Sequence, residues 1–242
     1  ARERNRLEAL LRKAIEANEL AVHYQMKVSP DGTPTGAEAL LRWHSAELGE
    51  VAPVRFIPLA EETGLIIPLG EWVLRQACRQ MIEWRAAGLA IPKISVNLSV
   101  KQIERIDIVA LVRTVLAETG LDPAALELEI TESMIMNIGD MRSILDRLHG
   151  LGVHLAIDDF GTGYSSLSYL GKLPVNTLKI DRAFVVGIGK GSGDAETIIR
   201  SIMSLAKSLG LTTVAEGVEQ SPQLDLLRQF GCDEIQGYYF SQ

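Results

Sequence analysis

Short apolar runs and stretches of helical periodicity take turns along this chain, and that alternation is its strongest constraint on fold. Strands are predicted at residues 21–28, 37–42, 94–98, 126–131, 154–158, 177–181, 212–216 and 234–240. Helices are predicted at 55–63, 71–87, around 109–119, 141–148, 195–209 and 223–230, with a short one after the glycine-rich loop that follows Asp158. Only Ser29–Gly36 separates the first two strands, too short a link for a crossover helix, so that pair is antiparallel. The later links carry helices. Eight strands joined this way point to a closed (β/α)8 barrel of the α/β class. A doubly wound open sheet is the alternative; its first turn often carries GxGxxG, which is absent here.

With 242 residues the chain can bury one sizeable core, and no Pro/Gly/Ser linker divides it. We expect a barrel domain over residues 21–242, preceded by an amphipathic helix within 1–20 that places Leu7, Leu11, Ala14 and Ile15 on one side. That helix either covers the bottom of the domain or connects an upstream module. The chain begins without Met, and is expected to be a piece of a longer protein. The 23% of charged residues and 47% of hydrophobic ones exclude general disorder. With 24 Lys plus Arg against 31 Asp plus Glu, the net charge of −7 argues against long nucleic acid as a partner. Cys78 and Cys232 lie far apart without metal-finger spacing, and suit packing positions in a reducing compartment. No apolar run reaches bilayer length and no signal peptide is visible. The expectation is a cytoplasmic domain, with any membrane anchor elsewhere in the full-length protein.

Buried parallel strands should be nearly all apolar. Here Asn97, Glu129, Asp158 with Asp159, Lys179, Glu216 and Gln236 fall late in successive strands. Glu38, Leu40 and Arg42 share one face of the second strand. In a barrel these ends converge on one rim, where this fold builds active sites. Five carboxylates (Glu38, Glu129, Asp158, Asp159 and Glu216) would share that mouth with one obvious cation, Lys179. Two like charges ~4 Å apart at an effective dielectric of 20 repel by roughly 4 kcal/mol, so such a cluster calls for cations. All the donors are oxygens, which suits Mg²⁺ or Mn²⁺ rather than Zn²⁺. Two hard ions with one Lys are apparatus for phosphodiester hydrolysis.

The segment Glu38-Ala39-Leu40-Leu41-Arg42-Trp43 resembles the signature of the EAL domain, a family of bacterial cyclic-di-GMP phosphodiesterases. The resemblance runs from Val22 to Phe240. It takes in Tyr24-Gln25, residues 56–65, Ser95–Ser99, Glu127–Ser133, Asp158–Leu167, Leu178–Asp181, Ala215–Glu219 and Gln236–Tyr238. It implies a modified TIM barrel whose first strand runs antiparallel. It also implies hydrolysis of cyclic-di-GMP to linear 5′-pGpG by a water that two metal ions activate. Glu38, Asn97, Glu129, Asp158, Asp159 and Glu216 would hold Mg²⁺ or Mn²⁺, with Ca²⁺ inhibitory. Lys179 would position the water and stabilise charge, and Glu216 would be the general base or a ligand alone. Gln25, Leu40, Arg42 and Gln236 would meet the substrate. Glu132 would anchor the loop after Asp159, where a lone Gly161-Thr162-Gly163 reads better as part of a lid than as a phosphate cradle. Glu219 is either a support for the site or a helix-start residue.

Other residues have plainer readings. Glu127 shares a face with Glu129 but lies earlier in the strand. Asp181 would salt-bridge Lys179, Glu61 and Glu62 would be solvated, and Trp43, Trp72 and Trp84 would be core. Met26 and His44-Ser45-Ala46 depart from the family's frequent residues away from the ligand positions. The chain ends at Gln242, short of the family's usual Pro-Leu-Pro stretch and last helix, so we expect a barrel truncated at that end. The resemblance further implies a homodimer tethered to an upstream regulatory or diguanylate cyclase-type domain. Two other functions compete: a cyclic-di-GMP receptor with little turnover that signals to a partner, and a barrel enzyme such as a metal-dependent lyase acting on another substrate.

Overall fold

The computed structural model describes residues 2–137, 139–161, 170–189 and 193–240. Its strands are β1 (Leu20–Val28), β2 (Pro34–Ser45), β3 (Gly49–Val51), β4 (Ile94–Asn97), β5 (Leu126–Thr131), β6 (His154–Phe160), β7 (Thr177–Ile180), β8 (Thr212–Glu216) and β9 (Glu234–Gln236). They hydrogen-bond in the order β1-β9-β8-β7-β6-β5-β4-β2-β3, and β1 also pairs with β2, which closes the ring into a modified TIM barrel. β1 is antiparallel to both neighbours, as the short Ser29–Gly36 link requires. From β2 through β4 to β9 the barrel strands are parallel.

Helices fill the crossovers: α2 (Pro53–Thr63), α3 (Ile66–Ala86), α4 (Val100–Arg105), α5 (Ile108–Thr119), α6 (Glu132–Asn137), α7 (Met141–His149), α8 (Arg182–Val186), α9 (Asp194–Leu209) and α10 (Ser221–Phe230). Local chemistry sets their ends. Pro53 opens α2 with a preset φ, and Gly64 closes it at φ +78°, where a side chain would be strained. Ser99 and Gln102 form a capping box at the head of α4, and the Asp107 carboxylate caps α5 by accepting from Ala110 N.

Several details differ from the expectation, among them the short helices α4, α6 and α8, which the sequence pattern does not predict. β3 is an added hairpin strand on β2, too short to leave a periodic signal. The last strand ends at Gln236 instead of Phe240, because the chain turns at Gly237 and pairs back through Tyr239 N to Val218 O. The opening helix α1 (Arg2–Ala14) does not cover the barrel's bottom. Leu7, Leu11 and Ala14 pack with Leu20, Trp43, Val51 and Phe56, beside the end of β2 that projects past the barrel mouth. Trp43 and Phe56 meet edge to face there, 5.6 Å between centroids. The larger core lies between the barrel wall and the helices, with Leu128, Leu155, Leu178 and Ile235 fully buried. Among the described residues no helix is long and apolar enough to cross a membrane.

Candidate active site

Strand pairing brings the polar residues together. Asn97 lies beside Glu129, Thr131 beside Asp158, Glu216 beside Gln236, and Gln25 beside Glu38. Lys179, fully buried on β7, reaches into their centre. Its Nζ lies 2.5 Å from Glu129 Oε2, 2.6 Å from Glu216 Oε1, 3.1 Å from Asp158 Oδ2 and 3.4 Å from Glu38 Oε2. Glu38 accepts further hydrogen bonds from Asn97 Nδ2 and Gln236 Nε2, both at 2.7 Å, and Gln236 Nε2 also donates to Gln25 Oε1.

Carboxylate oxygens of Asp158, Asp159 and Glu216 all lie within 4.8 Å of one another, the arrangement of a cation site. Two backbone features shape it. Asp159 takes a left-handed φ of +53°, a conformation costing roughly 1–3 kcal/mol outside glycine, while its N–H donates to Asp158 Oδ1 at 2.9 Å. Gly217 turns at φ +69° directly after Glu216, and a Cβ there would sit 2.2 Å from Arg182 Cγ. Glu132, at the head of α6, accepts from Gly161 N at 2.9 Å. Residues 162–169, most of the loop the sequence singled out, lie outside the described residues.

The charges do not balance at the mouth. Burial, and then Glu38, push Glu129 up to about 7. Burial pushes Glu216 up to about 8 against the opposing pull of Lys179. Burial and Asp158 raise Asp159 to about 6. Burial acts on Glu38 too, but Lys179 and Lys27 outweigh it and hold that carboxyl at about 2. Lys179 within the cluster and Lys27 beneath it cannot neutralise five carboxylates, which is why three of them are driven up. An all-oxygen donor set with this surplus fits a hard divalent cation.

A cavity of about 280 Å³ opens above the cluster, lined by Gln25, Glu38, Leu40, Asn97, Asp158, Glu216 and Gln236. Arg182, Glu219 and Tyr238 form another part of its wall, and sequence reasoning overlooked Arg182 and Tyr238. Tyr238 is 59% exposed although it lines the cavity, and Arg182 Nη2 pairs with Glu219 Oε1 at 2.8 Å. Glu219 directly precedes Gln220, the N-cap of α10, and donates its N–H to Gln223 Oε1 at 2.8 Å while its carboxylate pairs with Arg182. Arg42 lines an adjoining cavity of about 330 Å³ that shares Leu40 and Asn97 with the first.

Two expectations about charge need correction. Asp181 does not bridge Lys179: β7 ends at Ile180, and the Asp181 carboxylate caps α8 by accepting from Ala183 N at 2.7 Å. Lys179 is also not the one cation near the carboxylates. Lys27, fully buried on β1, meets Glu129 Oε1 at 2.7 Å and Glu127 Oε1 at 3.0 Å. A signal was available in Gln25 and Lys27, two polar residues sharing one face of a strand.

The closed barrel defines a TIM-type fold, with an acidic cluster able to hold a cation at its C-terminal strand ends. The chain belongs to the EAL domain family, whose model matches residues 8–242. It is 47% identical over 230 residues to the bifunctional diguanylate cyclase/cyclic di-GMP phosphodiesterase MucR of Pseudomonas aeruginosa, a match covering 94% of this chain and 33% of that protein. With cyclic di-GMP phosphodiesterase NbdA of the same organism it shares 44% identity over 238 residues, covering 98% of this chain and 30% of NbdA. It thus spans about a third of the length of these curated relatives. The solved structure of PaMucR phosphodiesterase in complex with c-di-GMP superposes with a TM-score of 0.94 at 45% identity, covering 98% of this chain and 96% of that one.

Proposed function

We propose that this domain is a metal-dependent phosphodiesterase that hydrolyses cyclic-di-GMP to linear 5′-pGpG with two hard divalent cations. The observation that carries the reading is the grouping of Asp158, Asp159 and Glu216 oxygens within 4.8 Å at the barrel mouth. The names of the relatives and the bound c-di-GMP of the similar structure supply the substrate.

Glu38, Asn97, Glu129, Asp158, Asp159 and Glu216 would hold Mg²⁺ or Mn²⁺. When bound, the metals would lower the pKa of a water and neutralise phosphate charge. The protein's own groups do the rest. Lys179, ringed by four carboxylates, would orient the attacking water and offset charge on the phosphoryl oxygens. Glu216, which borders both cluster and cavity, would either take the proton from that water or serve as a ligand alone. The new P–O bond forms as the bond to the 3′ oxygen breaks, and that oxygen leaves as a hydroxyl after taking up a proton. Gln25, Leu40 and Gln236 would bind the dinucleotide in the cavity, and Arg42 would act from the adjoining one. Glu132, through Gly161 N, would hold the start of the loop. The Glu219–Arg182 pair would support the wall. Ca²⁺, larger and looser in coordination, is expected to bind without supporting turnover.

The same proposal makes this domain cytoplasmic, dimeric, and tethered through α1 to an upstream regulatory or cyclase-type domain of a membrane-anchored protein. The bifunctional name of MucR and the short share of each relative that is matched support the tether. The deciding experiment is incubation with cyclic-di-GMP and Mg²⁺, Mn²⁺ or Ca²⁺, with products resolved by chromatography. Formation of pGpG with Mg²⁺ or Mn²⁺ alone is expected. Binding without product under every condition would overturn the enzyme reading in favour of a receptor.

A further inference from the structure

Beneath the mouth lies a buried group that the mechanism above does not use. Lys27 is completely enclosed on β1, the strand that runs against the rest of the barrel. Its ammonium has three N–H donors, and three acceptors surround it: Ser95 Oγ at 2.6 Å, Glu129 Oε1 at 2.7 Å and Glu127 Oε1 at 3.0 Å. With its donors used and no surface exposed, Lys27 cannot reach a substrate. It can act only through its neighbours.

Two of those neighbours hold it still. Glu127 is anchored independently of the mouth: its Oε2 accepts from Thr177 Oγ1 at 2.7 Å and from Lys93 Nζ at 3.3 Å. Ser95 Oγ is tied to Glu127 Oε1 at 2.8 Å. The third neighbour is the one that matters for the site. Glu129 is fully buried, with its Oε1 taken by Lys27 and its Oε2 meeting Lys179 at 2.5 Å. Lys179 in turn touches Glu38, Asp158 and Glu216, so Oε2 is the oxygen directed at the mouth.

We propose that Lys27 is a positioning residue: anchored by Glu127 and Ser95, it pins one oxygen of Glu129 so that the other is presented, alone and oriented, to the cation site. The proposal rests on the reading of Glu129 as a metal ligand. Groups that orient a ligand from outside govern affinity nearly as much as the ligand does. A lysine serving only to neutralise buried charge would leave cation affinity unchanged once the charge was balanced in another way, and that difference can be measured.

The comparison uses Glu127→Gln beside the double variant Lys27→Met/Glu127→Gln, which removes one buried charge of each sign. Mn²⁺ binding without substrate is measured by titration calorimetry, with thermal unfolding as a control for folding. Glu127→Gln, whose amide oxygen can still accept from Lys27 and Ser95 and so keep the anchor, should bind Mn²⁺ close to wild type, while the folded double variant should bind it about 10- to 100-fold more weakly. Equal Mn²⁺ affinity in the two variants would overturn the proposal. Ser95→Ala conserves every charge and carries the test if the double variant does not fold. It should weaken Mn²⁺ binding by roughly threefold, the scale of one hydrogen bond, and unchanged binding would again overturn the idea. Wild-type protein that neither binds Mn²⁺ nor cleaves cyclic-di-GMP would instead remove the functional reading beneath it.

Discussion

At the barrel mouth, Glu38, Glu129, Asp158, Asp159 and Glu216 gather around Lys179, while one layer below Glu127 and Glu234 face Lys27 and Lys93. Both layers are built from charged side chains on barrel strands, yet they are in opposite electrostatic conditions. In the lower layer two lysines face two acids, with Glu127 meeting both, whereas at the mouth four carboxylates share Lys179. Burial pushes Glu127 up, but Lys27 and Lys93 outweigh it and leave the carboxyl far below its ordinary range. At the mouth Glu129, Glu216 and Asp159 are all driven up. The lower layer is closer to balance around Glu127, although burial also raises Glu234, whose Oε2 has no hydrogen-bond partner. The mouth is left short of positive charge, and a site of that kind gains from a cation that the fold does not itself provide.

The largest expected effect that sharpens this contrast is on chemistry. Glu38→Ala or Lys179→Ala should cut cyclic-di-GMP turnover by on the order of a thousandfold or more, with the domain still folded by circular dichroism. Full activity in either variant would remove the assignment of these residues.

Stability should then divide the two layers by sign. Glu127→Ala strands Lys27 and Lys93 against a lost partner and is expected to cost about 3–5 kcal/mol in chemical denaturation. Glu216→Gln removes an acid from an overloaded cluster and should hold or raise the metal-free melting temperature. The same direction in both variants would break the comparison.

A smaller effect concerns pH. In the metal-free protein Glu129, Glu216 and Asp159 bind protons more tightly folded than unfolded. Their stabilisation is full below the unfolded carboxyl range and is lost as pH rises through about 7, 8 and 6 respectively. Glu38 and Glu127 are shifted the other way, and change only in strong acid. Glu234, also raised by burial, adds to the trend, and His154, lowered by burial, opposes it as one group against four. The melting temperature without metal should therefore fall between about pH 5 and pH 8. Mg²⁺ or Mn²⁺ at a hundredfold excess over its Kd should restore about 2.7 kcal/mol at the alkaline end. A melting temperature that is flat in pH and indifferent to metal would leave the mouth no different from the layer below.

Much of this was legible in the sequence. The strands at 126–131 and 212–216 fall where expected, since their apolar runs are bounded by clear turn and helix signals. Glu129, Asp158 and Glu216 stood out because a charge late in a buried strand has few uses other than a site. Lys27 did not stand out. Ala21, His23, Gln25 and Lys27 alternate with apolar residues, the pattern of a strand with one face in water. In this barrel that face turns inward at Lys27, toward Ser95 and Glu129, which lie 68 and 102 residues away along the chain. Asp181 misled for a related reason. Spacing two residues from Lys179 places it on the same face only while the strand continues, and β7 stops at Ile180.

What the sequence determined by itself is the succession of strands and helices, the antiparallel start imposed by Ser29–Gly36, and the collection of oxygen donors at the strand ends. Each follows from local periodicity, link length or position within one strand. What only the tertiary structure decided is which ammonium each carboxylate meets: Glu129 is held between Lys27 and Lys179, and Asp158, Asp159 and Glu216 share a surplus of negative charge. The physical reason is that electrostatic energy depends on separations of a few ångströms in a buried medium, and those are set by the stagger of strands distant in sequence.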